Sequence, residues 1–190
     1  MDFTRVYSID KDGDVIEFND IPNADGIYLT IWRVMFDLYQ DYFIDKIEKP
    51  EWFTDGFISF SELQMIGDMK PFWDLIHDER VPLEHRLVFG FTFDSVTVEG
   101  NFPKIIEALE AFIKIMTTEY AEFFSEINFD TLTELVDTLK ELSEDDDYVG
   151  AAIKNSTVSG IWDKYDEDGE WSPYNVIKGK QHNNLIDIIK

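Results

Sequence analysis

The sequence predicts an α+β fold, in which a mixed or antiparallel sheet with strands near both termini packs against three or more amphipathic helices. Stretches with the apolar repeat of helices occupy the middle of the chain. Short strand-like runs bounded by turn residues lie near both ends, and this segregation is typical of α+β proteins. Because a single core can grow to about 250 residues, we expect residues 1–190 to form one acidic globular domain.

The first predicted elements are a hairpin and a long helix. Residues Thr4 to Phe18 contain two strand-like runs around a turn, Asp10-Lys11-Asp12-Gly13-Asp14. From Ile27 to Tyr42, apolar residues recur at helical spacing and predict a helix. Short helices are expected to begin at Pro71 and Pro82, because the fixed φ of proline suits the first helical turn.

The second half of the chain predicts a strand, two helices and further strands. The run Phe91 to Val98 is strand-like, with a bulge or bend near Asp94-Ser95. A helix starts at Pro103 and continues or kinks through Phe124, and a third helix covers Asp130 to Leu142, with Thr131 and Glu134 at capping-box spacing. The remaining predictions are a strand within Gly150 to Ile161, a charged loop from Asp163 to Gly169, and a terminal strand from Leu185 to Ile189.

Net charge is the most unusual property of the chain. Forty acidic and sixteen basic side chains give a formal charge of −24, whereas roughly 2–8 charges suffice to keep a small domain soluble. The surplus adds self-repulsion and calls for a reason such as steering, a cationic partner or an unusual solvent. Abundant lysine, isoleucine and phenylalanine disfavour adaptation to high salt. An anionic surface is also repelled by nucleic acid and by anionic lipid, so we expect direct binding to neither.

The sequence lacks the motifs of several functional classes. The chain has no cysteine, which excludes thiolate nucleophiles and Cys-based zinc sites. No signal-peptide pattern and no apolar run of about 20 residues occur, which predicts a cytoplasmic protein. His77, His85 and His182 form no HExxH motif, and no phosphate loop or GxSxG elbow is present. We therefore expect a protein that is not an enzyme and has no cofactor.

Alternating aspartates at Asp10, Asp12 and Asp14 raise the question of calcium. An EF-hand loop would need glycine at its sixth position and glutamate at its twelfth. Those positions hold Val15 and Ile21 instead. We interpret the segment as a turn, leaving open only weak calcium binding.

The third predicted helix carries the sharpest pattern. Spacings of four, three, four and three residues put five carboxylates on one face, opposite a leucine-rich face; they are Asp130, Glu134, Asp137, Glu141 and Glu144. Asp145, Asp146 and Asp147 continue the negative charge, and Lys140 alone interrupts it. An ordinary solvated face would give the same exposure, but such faces usually alternate in sign and this one does not. We therefore predict a binding surface here, with an ordinary solvated face as the alternative.

A second acidic cluster is rich in aromatic residues. Large aromatic anchors among steering charges are typical of binding hot spots, although tryptophans that point inward from a hairpin tip would give the same pattern. The predicted contact residues are Trp162, Asp163, Tyr165, Asp166, Glu167, Asp168, Glu170, Trp171 and Tyr174.

Two stretches resemble small acidic bacterial proteins of the toxin-immunity type. They are Phe91 to Phe112 (FTFDSVTVEGNFPKIIEALEAF) and Asn155 to Asn184 (NSTVSGIWDKYDEDGEWSPYNVIKGKQHNN). The resemblance is one of general style, so no functional residue carries over. It implies a catalytically inert cytoplasmic inhibitor that covers a basic, nucleic-acid-handling toxin domain.

Three hypotheses follow. The first is an acidic protein that inhibits a basic partner, as an immunity protein for a nuclease-type toxin. The second is a DNA mimic directed at restriction or CRISPR machinery, for which a helical row of only about 20 Å is short. The third is a carboxylate- or metal-dependent hydrolase.

Overall fold

The computed structural model describes residues 3–22, 25–46, 74–92, 97–121, 126–155, 164–165, 171–172 and 184–189. Four strands form one antiparallel sheet, and they are β1 (Phe3–Asp10), β2 (Val15–Pro22), β3 (Val98–Glu99) and β4 (Tyr148–Asn155). Their order is β2-β1-β4-β3. The N-terminal hairpin therefore lies beside a strand from the far end of the chain, with Asp10 opposite Tyr148.

Six helices and a second hairpin complete the described elements. The helices are α1 (Asp25–Leu38), α2 (Gln40–Lys46), α3 (Leu83–Phe91), α4 (Phe102–Glu119), α5 (Glu126–Glu144) and α6 (Leu185–Ile188). The hairpin joins β5 (Lys164–Tyr165) to β6 (Trp171–Ser172). In the described segments, no helix is both long enough and apolar enough to cross a membrane.

One apolar core lies between the sheet and the helices. Helix α5 contacts β2, β4, α1 and α4, while α4 also packs against α3. The inward face of α5 is buried and supplies Leu132, Leu135, Val136, Leu139 and Leu142. The burial of this apolar face holds the outer face of α5 in solvent, because the two faces are parts of one rigid helix.

A polar contact fixes α5 on the outer strand of the sheet. The Nδ2 of Asn19 in β2 donates to the hydroxyl of buried Thr138 at 3.1 Å. That hydroxyl donates in turn to the carbonyl of Glu134, one helical turn earlier, at 2.8 Å. These bonds fix the position of the helix along β2.

The α+β prediction is confirmed, and most predicted elements are present. The N-terminal hairpin, the helix after Pro82, the helix at Pro103 and the third helix all form, and β4 covers the start of the predicted strand from Gly150. The first predicted helix is divided, because a turn at Tyr39 separates α1 from α2.

Three local predictions are wrong. Phe91 ends helix α3 instead of starting a strand, and Leu185 to Ile188 form a helix capped by the Asn184 side chain instead of a terminal strand. The first error concerns where α3 ends: every residue from Arg86 to Phe91 is buried, so no polar position near the C-terminal end shows that the helix continues to Phe91. Helix α5 begins at Glu126, so Thr131 is a buried interior residue and forms no capping box.

Other predictions fall wholly or partly outside the described residues. These concern most of the helix starting at Pro71, the bend near Asp94-Ser95, the extension through Phe124, and residues 156–161. Within the predicted charged loop, Lys164 and Tyr165 belong to a strand.

Candidate protein-binding surface

The five carboxylates predicted on the third helix share one exposed face of α5. This acidic helix row consists of Asp130, Glu134, Asp137, Glu141 and Glu144, and all five residues are exposed. The leucines on the opposite face are buried. Since an α-helix rises 1.5 Å per residue, the row extends over about 20 Å. The predicted orientation of the row is confirmed.

Little positive charge balances the acidic helix row. From Glu126 to Asp147 the sequence has nine acidic residues and one basic residue, Lys140. The Nζ of Lys140 lies 2.8 Å from a carboxylate oxygen of Glu110 on α4, and this hydrogen bond raises the pKa of the lysine. Lys140 is therefore drawn toward α4, whose exposed face carries both signs of charge.

The acidic turn, Asp145 to Asp147, follows the row and is also exposed. The Asp145 carboxylate accepts the backbone N–H of Asp147 at 2.9 Å, and its carbonyl accepts that of Tyr148 at 3.2 Å. Asp145 therefore shapes the turn. The turn lies at the helix C-terminus, where the helix dipole already contributes negative potential.

The turn of the N-terminal hairpin lies beside the acidic turn. Lys11 Nζ is 3.8 Å from an Oδ of Asp147, and both side chains are mostly exposed. The Asp10 carboxylate accepts the N–H groups of Asp12 and Asp14, each at 2.9 Å. We call the two turns together the acidic end, comprising residues 10–14 and 145–147.

These hydrogen bonds confirm that Asp10 to Asp14 form a turn. Gly13 takes a positive φ of 86° at its tip, a conformation that favours glycine. Among the described residues, no group of three or more His, Cys, Asp or Glu side chains is arranged to hold a metal ion.

A depression of about 380 Å³ opens where α5 meets the sheet. Its walls include Phe18 of β2 and Tyr148 of β4, whose rings meet edge to face with centroids 5.8 Å apart. Four acidic residues also line the depression, and they are Glu141, Glu144, Asp145 and Asp146. The site therefore combines aromatic surface with concentrated negative charge.

A β-bulge directs Phe18 toward this depression. Val6 pairs with Asn19 and the next residue, Tyr7, pairs with Glu17. Phe18 is therefore the extra residue of β2 at the bulge. Bulges bend a strand and can redirect a side chain. Phe18 is partly buried against the core, as is Tyr148.

The second predicted cluster is described only at two pairs of residues. Tyr165 and Trp171 are directly opposite each other in the β5–β6 hairpin. The remaining predicted contact residues lie outside the described residues, and they are Trp162, Asp163, Asp166, Glu167, Asp168, Glu170 and Tyr174. A binding role for this cluster stays a prediction.

Sequence reasoning did not identify Phe18 and Tyr148 as site residues. Tyr148 directly follows the acidic turn, and this adjacency was a usable signal. Phe18 had no such signal, because it reaches α5 and Tyr148 only through the pairing of β2 with β1 and of β1 with β4.

A second depression, of about 340 Å³, has a different electrostatic character. Asp78 accepts a 2.9 Å hydrogen bond from Arg80 Nε, and Lys46 Nζ lies 5.0 Å from the ring centre of Tyr42. Burial raises the pKa of Tyr42 to about 12, above its ordinary value of 10.0. This depression is lined by both basic and acidic side chains, whereas the acidic helix row contains only acidic ones.

No family model matches this chain, and neither a curated protein nor a solved structure is significantly similar to it.

Proposed function

We propose that this chain is an acidic binding protein that inhibits a basic protein, and that it acts in the cytoplasm as the immunity protein of a nuclease-type bacterial toxin. The observation that carries the proposal is the acidic helix row, whose five residues are all exposed on one face of α5. The one basic residue between Glu126 and Asp147, Lys140, is engaged by Glu110.

The unfavourable effect of the acidic helix row on helix stability supports a binding role. Carboxylates three or four residues apart destabilise a helix by a few tenths of a kcal/mol per pair. Surface charge for solubility does not require this arrangement, since opposite signs can alternate on one face. A partner with a cationic groove would gain from the row, because complementary charge speeds association and excludes wrong partners.

A nuclease offers such a cationic surface, because its substrate groove binds phosphates. Protein association steered by charge reaches about 10⁸–10⁹ M⁻¹s⁻¹ at low salt and slows as ionic strength rises. Inhibition by this chain would therefore be fast and sensitive to salt.

The test uses the protein encoded by the gene adjacent to that of this chain, produced together with it. We expect the two proteins to copurify, the chain to block nuclease activity at equimolar ratio, and the association rate to fall at least about tenfold between low and physiological salt. Absence of binding, or association insensitive to salt, would contradict the proposal.

Two charge variants locate the surface. The row variant carries Asp130→Asn, Glu134→Gln, Asp137→Asn and Glu141→Gln. The control variant neutralises four exposed glutamates elsewhere on the described surface, namely Glu79, Glu84, Glu107 and Glu119. The two variants have equal net charge, so a general charge effect would slow both equally. We expect the row variant alone to associate much more slowly.

The same proteins distinguish immunity from DNA mimicry. A mimic would displace duplex DNA from unrelated, nonspecific DNA-binding proteins, because those proteins recognise regular phosphate charge. An immunity protein would leave such complexes intact. Displacement by the wild-type chain, lost in the row variant, would favour the mimic over the inhibitor proposed here.

A further inference from the structure

We propose that the depression between α5 and the sheet binds an arginine side chain of the basic partner. This inference deepens the proposed function, on which it rests, by naming the group that the surface recognises. Three features of the depression point to a planar cation, and they are its aromatic walls, its position at a helix C-terminus, and its carboxylate rim.

The aromatic walls provide the first argument. Phe18 and Tyr148 meet edge to face at 77° and both line the depression, so aromatic surface forms part of its wall. A cation over an aromatic ring is attracted by the ring quadrupole. Partial burial against the core holds both rings in place before a ligand arrives. Phe18, at the bulge, is therefore already in position to contact a ligand.

The electrostatic field of the depression gives the second argument. Glu141 and Glu144 approach from the last turn of α5, and Asp145 and Asp146 approach from the acidic turn. The C-terminal end of a helix adds partial negative charge from its terminal carbonyl groups. A cation in the depression is therefore favoured from several directions.

The chemistry of the lining favours arginine over lysine and over a metal ion. A guanidinium is planar, stacks on aromatic faces and directs five N–H donors toward several carboxylates. Lysine would offer a compact, strongly hydrated charge that matches the rings less well. A hard metal ion needs six or more converging oxygens, and the described carboxylates have no metal-binding arrangement.

Apolar surface at the edge of the sheet fits a protein ligand. Ile16, two residues before Phe18 on β2, is 48% exposed. Strand β2 is at one end of the strand order of the sheet. A partner that places an arginine beside Phe18 could therefore cover Ile16 with the chain that carries the arginine.

The test titrates the wild-type chain with N-acetyl-arginine amide and follows the ring resonances of Phe18 and Tyr148 by NMR. We expect both to shift, with a dissociation constant of about 1–10 mM, as suits a single side chain. N-acetyl-lysine amide should bind more weakly, and the uncharged isostere N-acetyl-citrulline amide should cause no shift. Equal shifts with arginine and lysine, or none with arginine, would overturn the proposal.

Matched variants separate the depression from the general charge of the chain. Glu144→Gln combined with Asp146→Asn removes two rim carboxylates, while Asp130→Asn combined with Glu134→Gln removes two from the far part of the row. We expect the first pair to weaken arginine binding several-fold and the second to weaken it much less. Equal weakening would show that only net charge matters and would overturn the proposal.

Phe18→Leu tests the ring itself while keeping an apolar side chain. We expect arginine to bind about two- to fivefold more weakly, the range of an exposed cation–π contact, with binding of the lysine probe reduced less. The rim variants decide the outcome if Phe18→Leu fails to fold. Because the probe contains no partner protein, failure of arginine binding leaves the proposed inhibition standing. Conversely, failure of the chain to inhibit the nuclease would not change the outcome of the arginine titration.

Discussion

The hydroxyl of Thr92 joins two helices inside the core. The Nε1 of Trp32 in α1 donates to it at 2.6 Å, and it donates to the Phe89 carbonyl of α3 at 2.6 Å. Thr92 and Trp32 are both nearly inaccessible to solvent. A buried polar group that loses its hydrogen-bond partner is still removed from water, and this desolvation destabilises the folded state. Removing the Thr92 hydroxyl should therefore lower the free energy of unfolding more than the loss of one small group suggests.

We predict that Thr92→Val destabilises the protein by about 1–3 kcal/mol, the cost of removing one partner of a buried hydrogen bond. Thr92→Ser keeps the hydroxyl and should cost clearly less. Urea unfolding of the three proteins measures the difference. Equal losses for valine and serine would show that packing of the methyl group, not the hydrogen bond, is responsible.

A second prediction at the residue scale concerns pH. The Arg80 side chain donates to the Asp78 carboxylate and lowers the pKa of that group to about 2, from an ordinary value of 3.8. The folded state thus favours the charged carboxylate. The resulting stabilisation is complete above pH 4 and is lost as pH falls toward 2.

Asp78→Asn should therefore lower the free energy of unfolding at pH 7, and the difference from wild type should shrink as the pH approaches 2. Chemical unfolding at several pH values measures this. The control is Asp41→Asn, which removes an exposed carboxylate of α2 outside the Asp78–Arg80 pair, and we expect the convergence to be smaller for it. A difference for Asp78→Asn that is constant with pH would contradict the prediction.

At the scale of elements, helix α5 is stabilised by its inner face and destabilised by its outer face. Burial of five leucine and valine side chains holds it against α4 and the sheet. The acidic helix row opposes helix formation through repulsion between neighbouring turns and through the dipole at the C-terminus. Packing therefore tolerates a charge pattern that an isolated helix would not.

We predict that Glu141→Lys raises the free energy of unfolding by about 0.5–1 kcal/mol, because it creates an i,i+4 pair with Asp137 and places a cation near the helix C-terminus. The same change should slow association with the proposed basic partner. Glu107→Lys on α4 changes the charge equally and is the control. Thermal unfolding and stopped-flow binding test the two effects, and a neutral or destabilising Glu141→Lys would contradict the account of α5.

At the scale of the whole molecule, strand pairing concentrates charge that the sequence distributes. The pairing of β1 with β4 brings the hairpin turn at residues 10–14 beside the acidic turn at 145–147. The row on α5 leads into this acidic end. The molecule therefore has a more negative region than either segment predicts alone.

We predict that added salt stabilises the folded protein. Self-repulsion at a net charge of −24 opposes compaction and is screened as the Debye length falls from about 30 Å at 0.01 M to about 8 Å at 0.15 M. Tm should rise over this range of NaCl, and it should rise less in the row variant. A Tm that is flat or falls with salt would contradict the prediction.

Much of the fold could be predicted because its signals are local. The row and the leucine face of α5 lie within one helix, where spacing alone fixes which residues share a side. Phe91 and Leu185 were assigned wrongly for the opposite reason. The helix at Leu185 has only four residues, which is too short to show a helical period. The residues before Phe91 are all buried, so no polar position shows that the helix continues to Phe91.

The sequence by itself determined the strong negative charge, the absence of cysteine chemistry, the amphipathic helices and the exposed row of carboxylates on α5. Only the tertiary structure decided that the hairpin turn meets the acidic turn, and that Phe18 and Tyr148 form walls of one depression with four carboxylates. Helical faces follow from spacing along the chain. Contacts between distant strands follow from sheet register, which depends on packing of the whole molecule.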